Sequence, residues 1–353
     1  MERILHRGRE ESTKIMIAAL QYLWMLFFVM IIAGIVKEHN LFTPIYSYIK
    51  ESFKSNRLVL FLTSAAGGVL PIEGRVTVSA GVLDTMAHSK CRHKMGVVDY
   101  LSTHHYYLWS PLEKTVIIPM AALGMSYWAW LWMISPLIFV TLSFITYHIV
   151  WRMKEDDIRI DAIPFKMSSV IRNVLPFFVA ILTYAYLGGQ QYIFPIFGSL
   201  ALYYAFLTRT WNLKKLLSYV RWGVLAVAAI VILLGYFSKG YESMLAAFVR
   251  ALEVNAGTFT GMALITAVGF LASFIMGSSG KFIAMATVMT LAFGTKYFLW
   301  FFAVEYAGYL LSPAHKCVMI GNRYFGTPLW SYYKTIGAWC TLLLATAALF
   351  TFL

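Results

Sequence analysis

Two short segments, Ser110-Pro111-Leu112-Glu113-Lys114 and Ser312-Pro313-Ala314-His315-Lys316, set a hydroxyl, a proline, a titratable side chain and an ammonium in the same order within apolar sequence. Proline lacks a backbone donor and disfavours helical geometry at the residue before it, so each segment predicts a broken helix. A break inside a membrane frees N–H and C=O groups that must face protein or a water-filled cavity. Half-helix N-termini then suit an anion, while carbonyls and hydroxyls suit a cation. Glycine-rich stretches around residues 71–75 and 277–281 predict two further breaks of the same kind. The hydroxyls near these four places are Thr77, Ser79, Ser110, Ser278, Ser279 and Ser312, and they are the candidate substrate-binding groups. Their alternative use is helix packing or bonding back to the previous turn.

Arg75 and Lys281 stand in matching places beside Gly74 and Gly280. As binding residues they would attract a carboxylate, phosphate or other oxyanion; as structural residues they would snorkel to lipid headgroups. Lys114 and Lys316 form a second matching pair, equally able to neutralise carbonyls freed at the breaks. Carboxylates in apolar surroundings must pair with a base, hold a cation or take up a proton, and the last two are how ion coupling works. Asp84, Glu113 and Glu305 are the candidates for that role, with His315 as a group that titrates near neutral pH. Glu73 and Glu113 have neighbouring bases and so a simple pairing available. Glu305 has none in sequence and is the preferred coupling carboxylate.

Other chemistries lack their signals. His104 and His105 are adjacent, point to different helix faces and do not form a chelating pair as His-x-x-x-His would. Cys91, Cys317 and Cys340 have no metal-ligand spacing and leave an odd count, so neither a resident metal nor a disulfide framework is expected. Walker A, Gly-x-Ser-x-Gly and His-Glu-x-x-His patterns are absent, which removes ATP-driven transport and familiar hydrolase chemistry.

The elements that must position these residues follow from composition. Of 353 residues, 60% are hydrophobic and 13% charged, with a net charge of +13. A soluble domain carries about 45–50% and about 25%. A hydrocarbon core about 30 Å thick takes about 20 residues per helical crossing, so the chain could supply about eight to ten crossings. The continuous apolar runs exclude a strand-based barrel. The positive charge lies in short loops between these runs, as in cytoplasmic loops beside anionic lipid, and no aromatic-basic groove supports nucleic-acid binding. Full spans are placed near 15–36, 127–151, 168–187, 191–208, 219–237 and 335–353. Trp128, Trp130 and Trp132 read as interfacial or lipid-facing anchors.

The halves share a grammar. Tyr107-Leu-Trp-Ser-Pro-Leu-Glu-Lys114 aligns with Tyr309-Leu-Leu-Ser-Pro-Ala-His-Lys316, and Gly74-Arg75 with Gly280-Lys281. The predicted fold is an all-α polytopic membrane protein, an inverted repeat of about eight full spans with two re-entrant hairpins and two broken helices. Residues 1–14 form an N-terminal tail. Residues 15–151 form the first repeat, with a hairpin at 58–87 and a broken helix at 98–124. A connecting pair of helices occupies 152–218, and the second repeat, 219–353, carries a hairpin at 258–292 and a broken helix at 297–326. With both hairpins re-entrant, most basic residues fall on one side, which is the cytoplasmic one, and both termini fall outside.

The run Gly67-Gly-Val-Leu-Pro-Ile-Glu-Gly-Arg-Val-Thr-Val-Ser-Ala-Gly81, the Val98-Asp-Tyr100 segment and the two Ser-Pro segments resemble a prokaryotic membrane family, domain of unknown function 401. The resemblance covers roughly residues 58–125 and 258–326. It implies kinship with the ion transporter superfamily of secondary carriers, a scaffold of paired hairpins, an elevator movement and, as in related carriers, a homodimer. It implies no particular substrate. Glu73 and Arg75 depart from the smaller or uncharged residues expected at the first glycine-rich tip.

The function expected is secondary active transport of a small, anionic solute by alternating access in the inner or plasma membrane, with H+ or Na+ as the coupling ion and lipids as partners. The rival is an integral membrane enzyme acting on a lipid or headgroup through His104, His105, Glu113, His315 and Glu305. A lipid translocase is a third reading. The first two differ in geometry, because an enzyme needs its acid, base or metal groups within reach of one reacting atom.

Overall fold

The computed structural model describes residues 2–69, 79–80, 83–84, 86, 92–154, 158, 166–187, 190–240 and 259–353. Among these residues the chain is helical and has no strand. In order, the helices are α1 (Glu2–Glu38), α2 (Thr43–Ser52), α3 (Asn56–Val69), α4 (Arg92–His104), α5 (Tyr106–Trp109), α6 (Lys114–Leu123), α7 (Tyr127–Thr146), α8 (Met167–Asn173) and α9 (Leu175–Leu187). They continue as α10 (Ser199–Thr208), α11 (Leu213–Ser218), α12 (Trp222–Gly240), α13 (Phe259–Met276), α14 (Ser279–Phe293), α15 (Phe298–Leu311), α16 (Lys316–Phe325) and α17 (Leu329–Phe352). The first glycine-rich tip, with Glu73, Arg75 and Thr77, lies outside the described residues.

Among the described residues, three helical segments are long and apolar enough to cross a membrane: Leu20–Glu38, Tyr127–Trp151 and Leu329–Phe352. A fourth crossing is available if α8 and α9 count as one span bent by 41°. Pro176, second in α9, cannot donate to the preceding turn, which accounts for the bend. Shorter apolar helices run over Phe194–Thr208, Trp222–Leu233, Gly261–Met276 and Ser279–Phe293. The outer surface is apolar, with Trp132, Phe139, Tyr186, Phe206, Ile275 and Trp330 all exposed. Apolar helices that leave most of their surface uncovered fit a hydrocarbon surround, and the fold is consistent with a helical membrane protein.

Among the described residues, two helical stretches are enclosed by protein. Every residue of α15 from Phe298 to Leu310 is buried apart from Trp300, and α4 is buried continuously from Val98 to its end. A helix apolar all round needs protein or lipid all round. α15 finds it in Trp130 of α7, edge-on to Phe298 and Phe302 at 5.3 and 5.8 Å, and in Trp339 of α17, edge-on to Tyr306 at 5.9 Å. Trp339 Nε1 donates to Thr141 Oγ1 at 3.1 Å and so ties α17 to α7.

The Trp128-Trp130-Trp132 reading is corrected in part. Trp128 and Trp132 are exposed, four residues apart on one face of α7. Trp130 lies on the opposite face, is fully buried and donates its indole N–H to Leu108 O at 2.8 Å. A period of 3.6 residues cannot keep all three on one side.

Candidate functional site

Both Ser-Pro segments interrupt a helix, and they do so with one backbone geometry. Ser110 turns out of α5 at φ −67°, ψ 122°, and Ser312 turns out of α15 at φ −60°, ψ 129°. Glu113 N–H donates to Ser110 O at 3.0 Å, and His315 N–H to Ser312 O at 3.1 Å. The serine hydroxyls accept from the backbone two residues on, Leu112 N–H at 3.4 Å and Ala314 N–H at 3.2 Å. Ser110 and Ser312 are thus buried parts of the breaks themselves. The next helices, α6 and α16, each run ten residues and end at glycines in the left-handed region, Gly124 (φ 67°) and Gly326 (φ 64°). Equivalent positions are 202 apart, the separation of Tyr107 and Tyr309.

A break strands carbonyls, and each one buried without a donor costs about 1–3 kcal/mol. At the first break Thr115 Oγ1 donates to Tyr107 O at 2.7 Å, Trp130 Nε1 to Leu108 O at 2.8 Å, and Tyr127 Oη to Trp109 O at 2.7 Å. At the second, Tyr100 Oη donates to Leu310 O at 3.0 Å. Leu108 and Leu310 are equivalent, so the same orphan is met by an indole in one case and a phenol in the other.

A third break joins them. α13 ends at Gly277, whose N–H donates to Ser273 O at 3.0 Å, and α14 begins one residue after the extended Ser278. Gly277 has φ 53°, and a Cβ there would stand 2.7 Å from Ser312 Oγ and 3.0 Å from the carbonyl carbon of Ala314. Only glycine combines that backbone with that approach. Gly280 faces the Lys114 stem at 3.8 Å. The α13–α14 turn is therefore wedged between the two Ser-Pro breaks.

Between them opens a cavity of about 940 Å³. Its lining carries the cations Lys37, Lys114, Arg221 and Lys316 against the carboxylate Glu113, together with Ser278, Ser279, Tyr107, Tyr309, His315 and Cys317. The N-terminal ends of α6, α14 and α16 contribute Lys114, Ser279 and Lys316 to its wall. Cation excess and helix N-termini together favour a negatively charged guest.

The remaining candidates lie elsewhere. Lys281 is exposed and outside the cavity lining. Asp84 forms a two-pronged ion pair with Arg92, Nε to Oδ1 at 2.6 Å and Nη2 to Oδ2 at 3.0 Å. The hydrogen bond it donates to Asp84 holds the half-exposed Arg92 guanidinium above its ordinary range. Glu305 is fully buried and accepts a hydrogen bond from Ser273 of α13, away from the cavity. A Cβ on Gly269 would overlap its second oxygen, so glycine makes the room for this carboxyl group. Ser79 is buried beside Asp99 without closing a hydrogen bond to it.

Sequence reasoning passed over several residues that the structure makes prominent. Lys37 and Arg221 join the cavity from α1 and from the start of α12, far from either break in sequence. Asp99 is fully buried in α4, and only its place in the Val98-Asp-Tyr100 motif drew attention to it. Tyr309 Oη donates to Tyr107 Oη at 3.2 Å, and Tyr306 Oη to His104 O at 2.7 Å, so each pair joins residues 202 apart. His104 Nε2 lies 3.1 Å from His315 Nε2. Cys317 completes a group in which one donor atom from each of the three side chains lies within 4.8 Å of the others. His105 points elsewhere, accepting from Trp109 Nε1 at 3.0 Å.

A family model described as a protein of unknown function (DUF401) matches residues 14–352. No curated protein matches the chain.

Proposed function

The chain belongs to this family of unknown function (DUF401), and from its site we propose that it is a secondary active transporter for a small anionic solute, coupled to H+ or Na+. The observation that carries this reading is the cation-rich cavity bordered by two Ser-Pro breaks and the α13–α14 turn. Its volume of about 940 Å³ lies in the range of small-molecule pockets, about 300–1,000 Å³. Unwound backbone beside half-helix N-termini is the binding geometry of secondary carriers.

In this reading the two halves are inverted repeats, and residues 58–87 and 258–292 are re-entrant hairpins within about eight full spans of the inner or plasma membrane. Two features support it. The 202-residue correspondence runs through breaks, helix lengths and terminal glycines. The 15 residues of α14 reach about 22 Å, short of a hydrocarbon core about 30 Å thick, and its turn packs on the Ser312 break in the interior. Glu305 is the coupling carboxylate: buried, and accepting a hydrogen bond from the Ser273 hydroxyl. Alternating access proceeds as an elevator, with the hairpins and broken helices moving against the 168–208 pair, and related carriers suggest a homodimer.

A thermal-shift screen of the detergent-purified protein tests binding directly. Phosphate, sulfate and small mono- and dicarboxylates are compared with and without sodium across pH. At least one anion should raise the unfolding midpoint, with a dependence on sodium or pH. No shift with any anion, or equal shifts with matched cations, refutes the reading. The rival membrane enzyme is favoured by the His104–His315 contact alone, and turnover of phospholipid in proteoliposomes would establish it.

A further inference from the structure

We propose that Asp99, with the hydroxyls of Ser79, Ser102, Tyr46 and Tyr332 around it, forms a binding site for a monovalent alkali-metal cation, of which sodium is the type. Asp99 is fully buried in α4, and neither of its carboxylate oxygens has a hydrogen-bond partner. The groups around it are in the same condition. Ser79 stands beside its carboxyl group, and the phenols of Tyr46 in α2 and Tyr332 in α17 lie within range of its charge. All three are buried, and none of their hydroxyls makes a hydrogen bond. Ser102, about one turn further along α4, shares that state. A Cβ on Gly96 of α4 or on Gly321 of α16 would overlap the Tyr332 hydroxyl, so two glycines make the room that seats this phenol on α4, about one turn before Asp99.

A carboxyl group this deep must meet a base, a cation or a proton. Among the described residues no base pairs with Asp99. A proton alone leaves the deficit in place, because the new O–H needs an acceptor and the surrounding hydroxyls still need partners. A cation removes it in one step, since carboxylate, hydroxyl and phenol oxygens all offer it lone pairs. Oxygens around an ion of calcium's or sodium's size, about 2.3–2.6 Å from it, stand about 3.3–3.7 Å from each other at right angles. They are neighbours without hydrogen bonds between them, as the oxygens here are. One carboxylate balances one positive charge, whereas a divalent ion would leave a net charge in the apolar interior. A set of oxygens alone disfavours the metals that seek thiolate or imidazole. Arg92, exposed at the start of α4, is about 10 Å from Asp99 along the helix, so the entrance is short. In the 202-residue correspondence Glu305 pairs with Thr103, not with Asp99, and the two carboxyl groups are separate sites. The inference deepens the transport reading by giving sodium a place. Sodium binding is read without any solute, so either can fail alone.

The test uses the full-length protein in detergent, exchanged into choline chloride, with sodium chloride replacing choline at constant ionic strength. Sodium should raise the unfolding midpoint saturably, and radiolabelled sodium should bind at one ion per chain. Asp99→Asn keeps the shape, removes the charge and should abolish both responses. Ser79→Ala and Tyr332→Phe each remove one oxygen and should weaken sodium binding about tenfold. Asp84→Asn, whose charge is committed to Arg92, should leave sodium affinity within about twofold. Monodisperse elution of Asp99→Asn in choline separates lost binding from lost folding; where that variant does not fold, the affinities of Ser79→Ala and Tyr332→Phe decide. No saturable sodium response in the wild type, a full response in Asp99→Asn, or unchanged affinity in both Ser79→Ala and Tyr332→Phe overturns the site. So does a midpoint that follows pH with no response to sodium, which marks a site for a proton alone.

Discussion

Tyr107 and Tyr309, each three residues before the serine of its Ser-Pro segment, meet each other: Tyr309 Oη donates to Tyr107 Oη at 3.2 Å in the buried interior. Equivalent residues touch only where the two segments come face to face, and both tyrosines also line the cavity. The hydroxyl pair therefore couples the two breaks energetically. We expect Tyr107→Phe and Tyr309→Phe each to lower stability by about 0.5–1.5 kcal/mol, and the double variant to cost clearly less than the two together. Unfolding midpoints of the four proteins in detergent measure this, and strict additivity would deny the contact.

Trp130 offers a cleaner measure of what a freed carbonyl is worth. Trp130→Phe keeps an aromatic ring but removes the donor to Leu108 O. The loss should be about 1–3 kcal/mol, with the ring's own volume change included, and larger than for Trp132→Phe on the exposed face. Equal effects of the two would show that the break does not depend on its cap.

Gly277 and Gly280 should separate under the same substitution. Gly277→Ala forces a side chain into the left-handed region and against the Ser312–Ala314 break, and should cost about 1–3 kcal/mol. Gly280→Ala meets only the Lys114 stem at ordinary contact distance, and in a helix should be neutral or slightly stabilising. Thermal unfolding of the pair checks it.

The cavity cations should matter unequally. Lys114→Gln removes a charge that lines the cavity, and should weaken binding of any stabilising anion by about tenfold or more, since a hydrogen bond to a charged group is worth about 1.5–3 kcal/mol. Lys281→Gln, exposed and outside the lining, should leave affinity within about twofold. Glu305→Gln should retain anion binding but lose its sodium or pH dependence, while Asp84→Asn should keep that dependence because its charge is committed to Arg92. Titration calorimetry with phosphate, sulfate or succinate, whichever shifts the midpoint, reads all four.

Much of this site can be read from residues alone, for a local reason: proline acts within its own turn, so Pro111 and Pro313 announce breaks without help from the fold. Gly124 and Gly326 similarly mark helix ends through their own backbone freedom. What a single sequence conceals is the direction in which a helix faces. Arg75 and Lys281 match by position, yet Lys281 is exposed and outside the cavity lining, while Lys37 and Arg221 enter it from other helices. The His104–His315–Cys317 group is invisible for the same reason: its members are 211 residues apart across the histidines and obey no ligand spacing. Trp130 misleads because composition speaks of a belt, whereas the helical period turns it inward.

The inverted arrangement of the two halves is the claim on which the transport reading most depends, and the side of the membrane reached by each short helix after its break tests it most directly. α6 and α16 end at equivalent residues, so single cysteines replacing Ser126 and Pro328, in a chain with Cys91, Cys317 and Cys340 changed to serine, report where each helix emerges. With a membrane-impermeant maleimide, Ser126→Cys should label from outside intact cells and Pro328→Cys only in inverted vesicles. Labelling of both positions from the same side would contradict an inverted repeat and, with it, a site built from two opposed halves.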